Sequence, residues 1–167
     1  MKPVSMPRAA AIMAALTALV FTLAACTLTP AYQNRGAAVL DRVSWAEPGN
    51  RESQIVLNAL KRRFGDGGTA APYTASVSTS TSGSRISKID GDDPAELYEM
   101  KISGTLTVRD AVTGETVLSE GRNASAQYTT GPQSSANRAN VEDAQERAAA
   151  RLAEVLSARL LIFLNNS

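Results

Sequence analysis

The sequence predicts an α+β domain whose sheet is covered on one face only. Three observations lead there. Residues 98 to 109 alternate apolar and polar along their length, a strand–helix–strand order precedes them, and a long Ala-rich helical pattern follows, ending near residue 164. Together they give two helices on a four-stranded, mostly antiparallel or mixed sheet, closed by a long C-terminal helix.

The chain before that domain reads as a targeting segment. Lys2 and Arg8 precede an apolar run that begins at Ala9 and closes on Leu23-Ala24-Ala25-Cys26. A positive start, an apolar stretch, small residues and then the sole cysteine have the form of a lipoprotein signal peptide. The run is about 17 residues, at the bottom of the range for a permanent span. On this reading residues 1–25 are removed, Cys26 carries lipid, residues 26–36 form a lipidated tether, and residues 37–167 are a single α/β domain. Each buried methylene contributes about 0.8 kcal/mol, so several acyl chains on one cysteine make a lasting anchor. Thr27 stands where an Asp often signals retention at the inner membrane, which favours the outer membrane.

The elements follow in order. Val39, Asp41, Val43 and Trp45 fall on one side of a first strand over 37–45, which Pro48-Gly49 ends. Asn50 is a good N-cap for a helix over 51–64, where Val56, Ala59, Leu60 and Phe64 share one face. Lys61, Arg62 and Arg63 complement the dipole in its last turn, and Gly65 serves as C-cap. Tyr73, Ala75, Val77 and Thr79 alternate with Thr74, Ser76 and Ser78 in a second strand. The Ser/Thr-rich run 76–84 predicts that this strand frays into a loop near Gly83.

Asp90-Gly91-Asp92-Asp93-Pro94 is a turn. The two-toned third strand then sets Tyr98, Met100, Ile102, Leu106 and Val108 on one face, with Gly104 in register. Lys101, Ser103, Thr105, Thr107 and Arg109 share the other face. Thr113-Gly114 turns a hairpin into a fourth strand, Thr116 to about Tyr128, with Gly121 a candidate bulge. After Gly131-Pro132 the long helix presents Ala144, Ala148, Leu152, Val155, Leu156 and Phe163 as its core-facing stripe. Asp143 with Arg147 and Arg151 with Glu154 have stabilising spacings. Arg159 interrupts the stripe, and Leu160 to Leu164 is more apolar than one stripe needs. Arg159, Leu160, Leu161 and Leu164 are therefore candidate contacts for a partner protein.

Composition narrows the chemistry. The whole chain has 17 basic and 16 acidic residues; residues 1–25 hold two basic groups and no acidic one, leaving 15 against 16. That is not a nucleic-acid binder's balance. There is no histidine, and lipidation consumes the one cysteine. Triads that use histidine and the usual zinc sites are thereby excluded. Asp90, Asp92 and Asp93 lack calcium-loop spacing and read as a surface turn. The expectation is a binding or assembly protein, not an enzyme, with no cofactor beyond the covalent lipid on Cys26.

Pro30-Ala31-Tyr32 after the cysteine, Pro72-Tyr73 at a strand start and the hairpin Thr113-Gly114-Glu115-Thr116-Val117-Leu118 stand in a distinctive order. The run Arg138-Ala139-Asn140-Val141-Glu142-Asp143-Ala144-Gln145-Glu146-Arg147-Ala148-Ala149 opens the last helix. With the element order, these resemble the LPS-assembly lipoprotein family (LptE), especially its alphaproteobacterial branch. The resemblance departs at Ala31, where the family has Leu, and in the unusually polar segment 76–84. It implies a two-layer α/β sandwich and an outer-membrane lipoprotein, its domain facing the periplasm and the barrel lumen. Such a protein plugs and helps assemble the LptD β-barrel and assists lipopolysaccharide insertion into the outer leaflet. Its partners would be that barrel, lipopolysaccharide and the membrane through the anchor. Basic side chains on strands and loop tips would hold the anionic lipid by charge-assisted bonds, with Arg85, Lys88, Lys101, Arg109 and Arg122 as candidates. The alternative is an auxiliary lipoprotein of a lipid-transport ABC system.

Overall fold

The computed structural model describes residues 40–89 and 95–167. Cys26, the Leu23–Ala25 lipobox, the tether and the Asp90, Asp92, Asp93 cluster lie outside the described residues. The elements are β1 (Val43–Trp45), α1 (Arg51–Phe64), β2 (Tyr73–Ile89), β3 (Ala95–Asp110), β4 (Thr116–Thr130) and α2 (Ser134–Asn166). The strands lie in the order β1-β2-β3-β4, with β1 parallel to β2 and the other pairs antiparallel. The expected mixed four-stranded sheet with two helices is what forms.

Local chemistry accounts for the boundaries. β1 is shorter than the strand expected over 37–45, because Asp41 takes a positive φ of 60° and its amide bonds the Phe64 carbonyl at 2.9 Å. Asn50 caps α1 through a reciprocal box with Ser53, at 2.8 and 3.1 Å. Gly65 ends α1 at φ 80°, where any side chain would strike the Asp41 carboxylate. Asp110 Oδ1 accepts the Val112 and Thr113 amides, both at 2.9 Å, and Gly114 supplies the positive φ that closes the β3–β4 hairpin.

Two strand expectations are corrected. β2 does not fray near Gly83 but continues to Ile89, because β3 offers a backbone partner from Asp110 back to Ala95. Ladder bonds along the whole hairpin outweigh the low strand preference of serine. Gly121 is not a bulge, since it pairs in regular register with Thr105. The irregularity falls between Val108 and Arg109, beside the hairpin turn.

The core lies between the sheet and the helices. Met100, Ile102, Leu106 and Val108 from β3 meet Leu152, Leu156, Leu160 and Leu164 from α2, with Val56, Leu60 and Phe64 from α1. Gly104 lets α2 lie this close, for a Cβ there would sit 2.7 Å from Leu152 Cδ2. The helices run parallel, as Arg51 at the start of α1 meeting Glu146 at 3.1 Å and Arg63 near its end meeting Ser157 at 2.9 Å require. Val155, expected in the core stripe, is 42% exposed and turns away from the sheet.

α2 also closes one sheet edge. Asn140 Nδ2, Arg147 Nη2 and Arg151 Nη1 donate to the carbonyls of Thr129, Gln127 and Ser125 at 2.8, 3.0 and 2.8 Å. These are alternate carbonyls of the outermost strand, so the pairing surface of β4 is occupied there by side chains. Arg151 thus serves the sheet rather than the expected Glu154 pair, whereas Arg147 does meet Asp143 at 2.8 Å.

Truncating Leu156, which is fully buried, to Ala should lower unfolding stability by about 2–5 kcal/mol. Ile162→Ser, at a position 54% exposed, should change it by less than about 0.5 kcal/mol. Urea denaturation of the two variants checks both values.

Candidate functional site

The sheet face opposite the helices is the most distinctive surface. β3 sends Lys101, Ser103, Thr105, Thr107 and Arg109 to it. The register brings Ser82, Ser80, Ser78, Ser76 and Thr74 of β2 beside them, and Ser125, Asn123, Gly121 and Ser119 on the β4 side. Short hydroxyl and amide groups therefore carpet three strands. Gly121 leaves a shallow notch of about 380 Å³ at the centre, bordered by Ser78, Ser80, Ser103, Thr105 and Asn123. Each hydroxyl can both donate and accept, so the surface can hydrogen-bond a polar neighbour in many registers. No long side chain at its centre holds that neighbour away.

The five basic candidates do not converge. Lys101 and Arg109 share the open face but stand eight residues apart on β3, about 27 Å along the strand. Arg85 and Lys88 lie on the distal stretch of β2, opposite Tyr98 and Glu96. Arg122 sits on the helix-covered face in ion-pair contact with Glu120, and its Nη1 donates to the Gly121 carbonyl at 2.9 Å. An anionic headgroup would meet Arg85 and Lys88 as one group and the others singly.

The distal end has its own network. Arg85 Nη1 bonds Glu96 Oε1 at 2.9 Å, and the Tyr98 hydroxyl donates to Glu96 Oε2 at 2.7 Å. Tyr98 stacks on Tyr128 with centroids 5.4 Å apart and planes 14° from parallel. The Tyr98 hydroxyl, then the Arg85 guanidinium, hold the Glu96 carboxyl below its ordinary value, and the same bond raises the Tyr98 hydroxyl. At the opposite end of β3, the Thr113 and Val112 amides lower Asp110.

Of the proposed partner contacts, two are corrected. Leu160 and Leu164 are buried at 0% and 1% exposure, so they complete this domain's own core. Leu161 is half-buried against the same core. Arg159 remains half-exposed and meets Glu120 at 3.5 Å. It borders a cavity of about 270 Å³ with Leu118, Ile162 and Phe163. The neighbouring exposed apolar side chain is Ile162, not the leucines.

Sequence reasoning passed over Arg42. Its Nη1 donates to the Leu164 carbonyl at 2.8 Å, and its guanidinium lies 5.6 Å from the centre of the Tyr73 ring. It places positive charge at the C-terminus of α2, whose own last turn has none. No local pattern links residue 42 with residue 164; only the fold does. Among the described residues there is no group of acidic, cysteine or histidine side chains able to hold a metal ion, and no helix long and apolar enough to cross a membrane.

The family model for LptE, described as lipopolysaccharide-assembly, matches residues 40–161. No curated protein matches the chain. Among solved structures, a lipoprotein from Caulobacter crescentus CB15 is similar with a TM-score of 0.59 and 20% identity, over 80% of this chain and 98% of that one. A minor lipoprotein from Acinetobacter baumannii gives 0.48 and 13%, over 74% and 93%. Rare lipoprotein B from Shewanella oneidensis gives 0.46 and 13%, over 74% and 93%. The first of these shares the fold.

The lowered Glu96 carboxyl sets a pH dependence. A carboxyl whose pKa falls on folding adds stability above its unfolded value, here near 4.5, and that stability is lost as pH falls through the folded value. Amide exchange at Arg85 and Tyr98 should therefore accelerate, relative to core amides, as pH drops below about 4.5. Glu96→Gln should remove that difference, and hydrogen-exchange NMR at a series of pH values reads it.

Proposed function

The chain belongs to the LptE family of lipopolysaccharide-assembly proteins, and from that premise we propose that it plugs a large outer-membrane β-barrel of the LptD type. In this role it supports the barrel's assembly and the passage of lipopolysaccharide to the outer leaflet, held to the membrane by lipid on Cys26. The observation that carries the reading is the open sheet face. The lumen of a large barrel is polar, and a plug must lie close against it without stranding charge. A surface of serine, threonine and asparagine side chains with a central glycine meets both conditions. Lys101 and Arg109 flank it at either end, where residual charge can stay hydrated.

The anionic lipid would engage the distal end. Arg85 and Lys88 project from β2, which is exposed from Thr81 through Lys88. Glu96 orients Arg85, so a phosphate would have to share or displace that carboxylate. The contact contributes modestly and is sensitive to salt.

Affinity purification of the tagged, lipidated chain from solubilised outer membranes tests the partner. A stoichiometric large β-barrel is expected; recovery of an ABC-transporter component instead would transfer the chain to lipid-transport auxiliaries. Ser103→Trp, at the centre of the open face, should sharply reduce barrel recovery while leaving the circular dichroism spectrum and anchoring unchanged. Arg85→Glu combined with Lys88→Glu should leave barrel recovery intact and weaken lipopolysaccharide binding in vitro. Unchanged binding would remove both residues from the contact.

A further inference from the structure

We propose that the cleft at the distal edge of β4 binds a single saccharide ring. The cleft has a volume of about 240 Å³ and lies between β4 and the first half of α2, with Tyr128, Gln127, Asn140, Asp143 and Arg147 in its lining. An aromatic residue beside a carboxylate, an amide and a guanidinium is the chemistry a pyranose requires. The C–H face of the sugar packs on the aromatic surface, while neighbouring hydroxyls pair with planar groups that offer two atoms side by side.

The side chains are already fixed. Tyr98 stacks on one face of Tyr128, and the Tyr98 hydroxyl is itself held by Glu96, which Arg85 holds in turn. Tyr128 itself lines the cleft. Arg147 is held through Nε by Asp143 and through Nη2 by the Gln127 carbonyl, and Asn140 is held through Nδ2 by the Thr129 carbonyl. Among the described residues these bonds leave Asp143 Oδ1 and Asn140 Oδ1 as acceptors and Arg147 Nη1 as a donor. A ligand entering here meets groups whose ordering entropy is already spent.

Sealing the β4 edge accounts for Asn140 and Arg147, and Asp143 supports Arg147, but neither accounts for a tyrosine pair left half-buried at the cleft. The mixture of acceptors and donor suits hydroxyls, which do both, and Leu97 adds apolar surface beside them for the C–H groups of a ring. A phosphate alone would be repelled by Asp143. The volume admits one ring, so the ligand is held by one residue of a longer glycan. If the lipopolysaccharide-assembly reading is right, as this source assignment requires, that glycan is the saccharide portion of lipopolysaccharide. A peptidoglycan fragment offers the same ring chemistry.

The test uses the full lipidated chain in detergent micelles, titrated separately with lipid-free oligosaccharide from lipopolysaccharide and with a soluble peptidoglycan fragment. Saturation-transfer NMR reads contact and calorimetry reads affinity. One of the two glycans should bind, and which one names the source. Tyr128→Ala should weaken that binding about fivefold, the share a lost aromatic contact carries. Asp143→Asn, at an exposed helical site, should weaken it without affecting the fold. Tyr128→Phe keeps the stacking ring and should bind like the parent, which separates lost contact from lost folding. If neither glycan binds, or if binding ignores both Tyr128→Ala and Asp143→Asn, the cleft is not a saccharide site. Intact lipopolysaccharide and barrel recovery, measured on the same preparation, would still stand in that case if the family role holds.

Discussion

The structure depends on how closely α2 can approach β3. Gly104 stands in the middle of the buried face of that strand, and Leu152 occupies the space a side chain would take. With α2 seated there, Leu152, Leu156, Leu160 and Leu164 cover Met100, Ile102, Leu106 and Val108 in one continuous core. The small residues Ala144, Ala148, Ala149 and Ala153 are buried along the same helix and leave room for α1 alongside. Because the helical layer buries the middle of one sheet face, no second apolar face is needed. The other face is free to be polar, with short hydroxyl side chains predominating at its centre.

That division of labour extends to the sheet edges. β4 would otherwise present a row of unpaired carbonyls, and α2 covers three of them with Asn140, Arg147 and Arg151. At the other side, β1 pairs with the start of β2, and Asn50 reaches the Thr79 carbonyl at 3.1 Å. An open edge invites unintended strand pairing, and this arrangement covers both edges in part. Arg42 completes the frame by tying the chain just before β1 to the last turn of α2.

Much of this was legible in the residues. The alternation in β3 gave both its buried and its open face, and Asn50, Gly65 and Thr113-Gly114 marked their boundaries through local chemistry. What escaped depends on partners distant in sequence. The Ser/Thr run of β2 looks like a fraying loop until β3 is seen to pair with all of it. Leu160 and Leu164 look surplus to a single stripe until α1 and the sheet are seen to enclose them. Val155 looks like core because helical spacing cannot tell which side of α2 faces solvent at each turn. Arg85 was identifiable as an exposed cation, but its Glu96 partner and the Tyr98–Tyr128 stack arise only from the strand register. The eight-residue separation of Lys101 and Arg109 was legible along β3, whereas the placement of Arg122 on the helix-covered face depends on the same register.

The central claim is that the hydroxyl-covered sheet face lies against the wall of a barrel. Its most direct measurement is site-specific photocrosslinking in intact cells, with a photoreactive side chain placed at Ser103 in one strain and at Ile162 in another. The account predicts an efficient adduct from position 103 to a large outer-membrane β-barrel protein. An adduct from position 162 alone, or from position 103 to an inner-membrane transporter component, would contradict it.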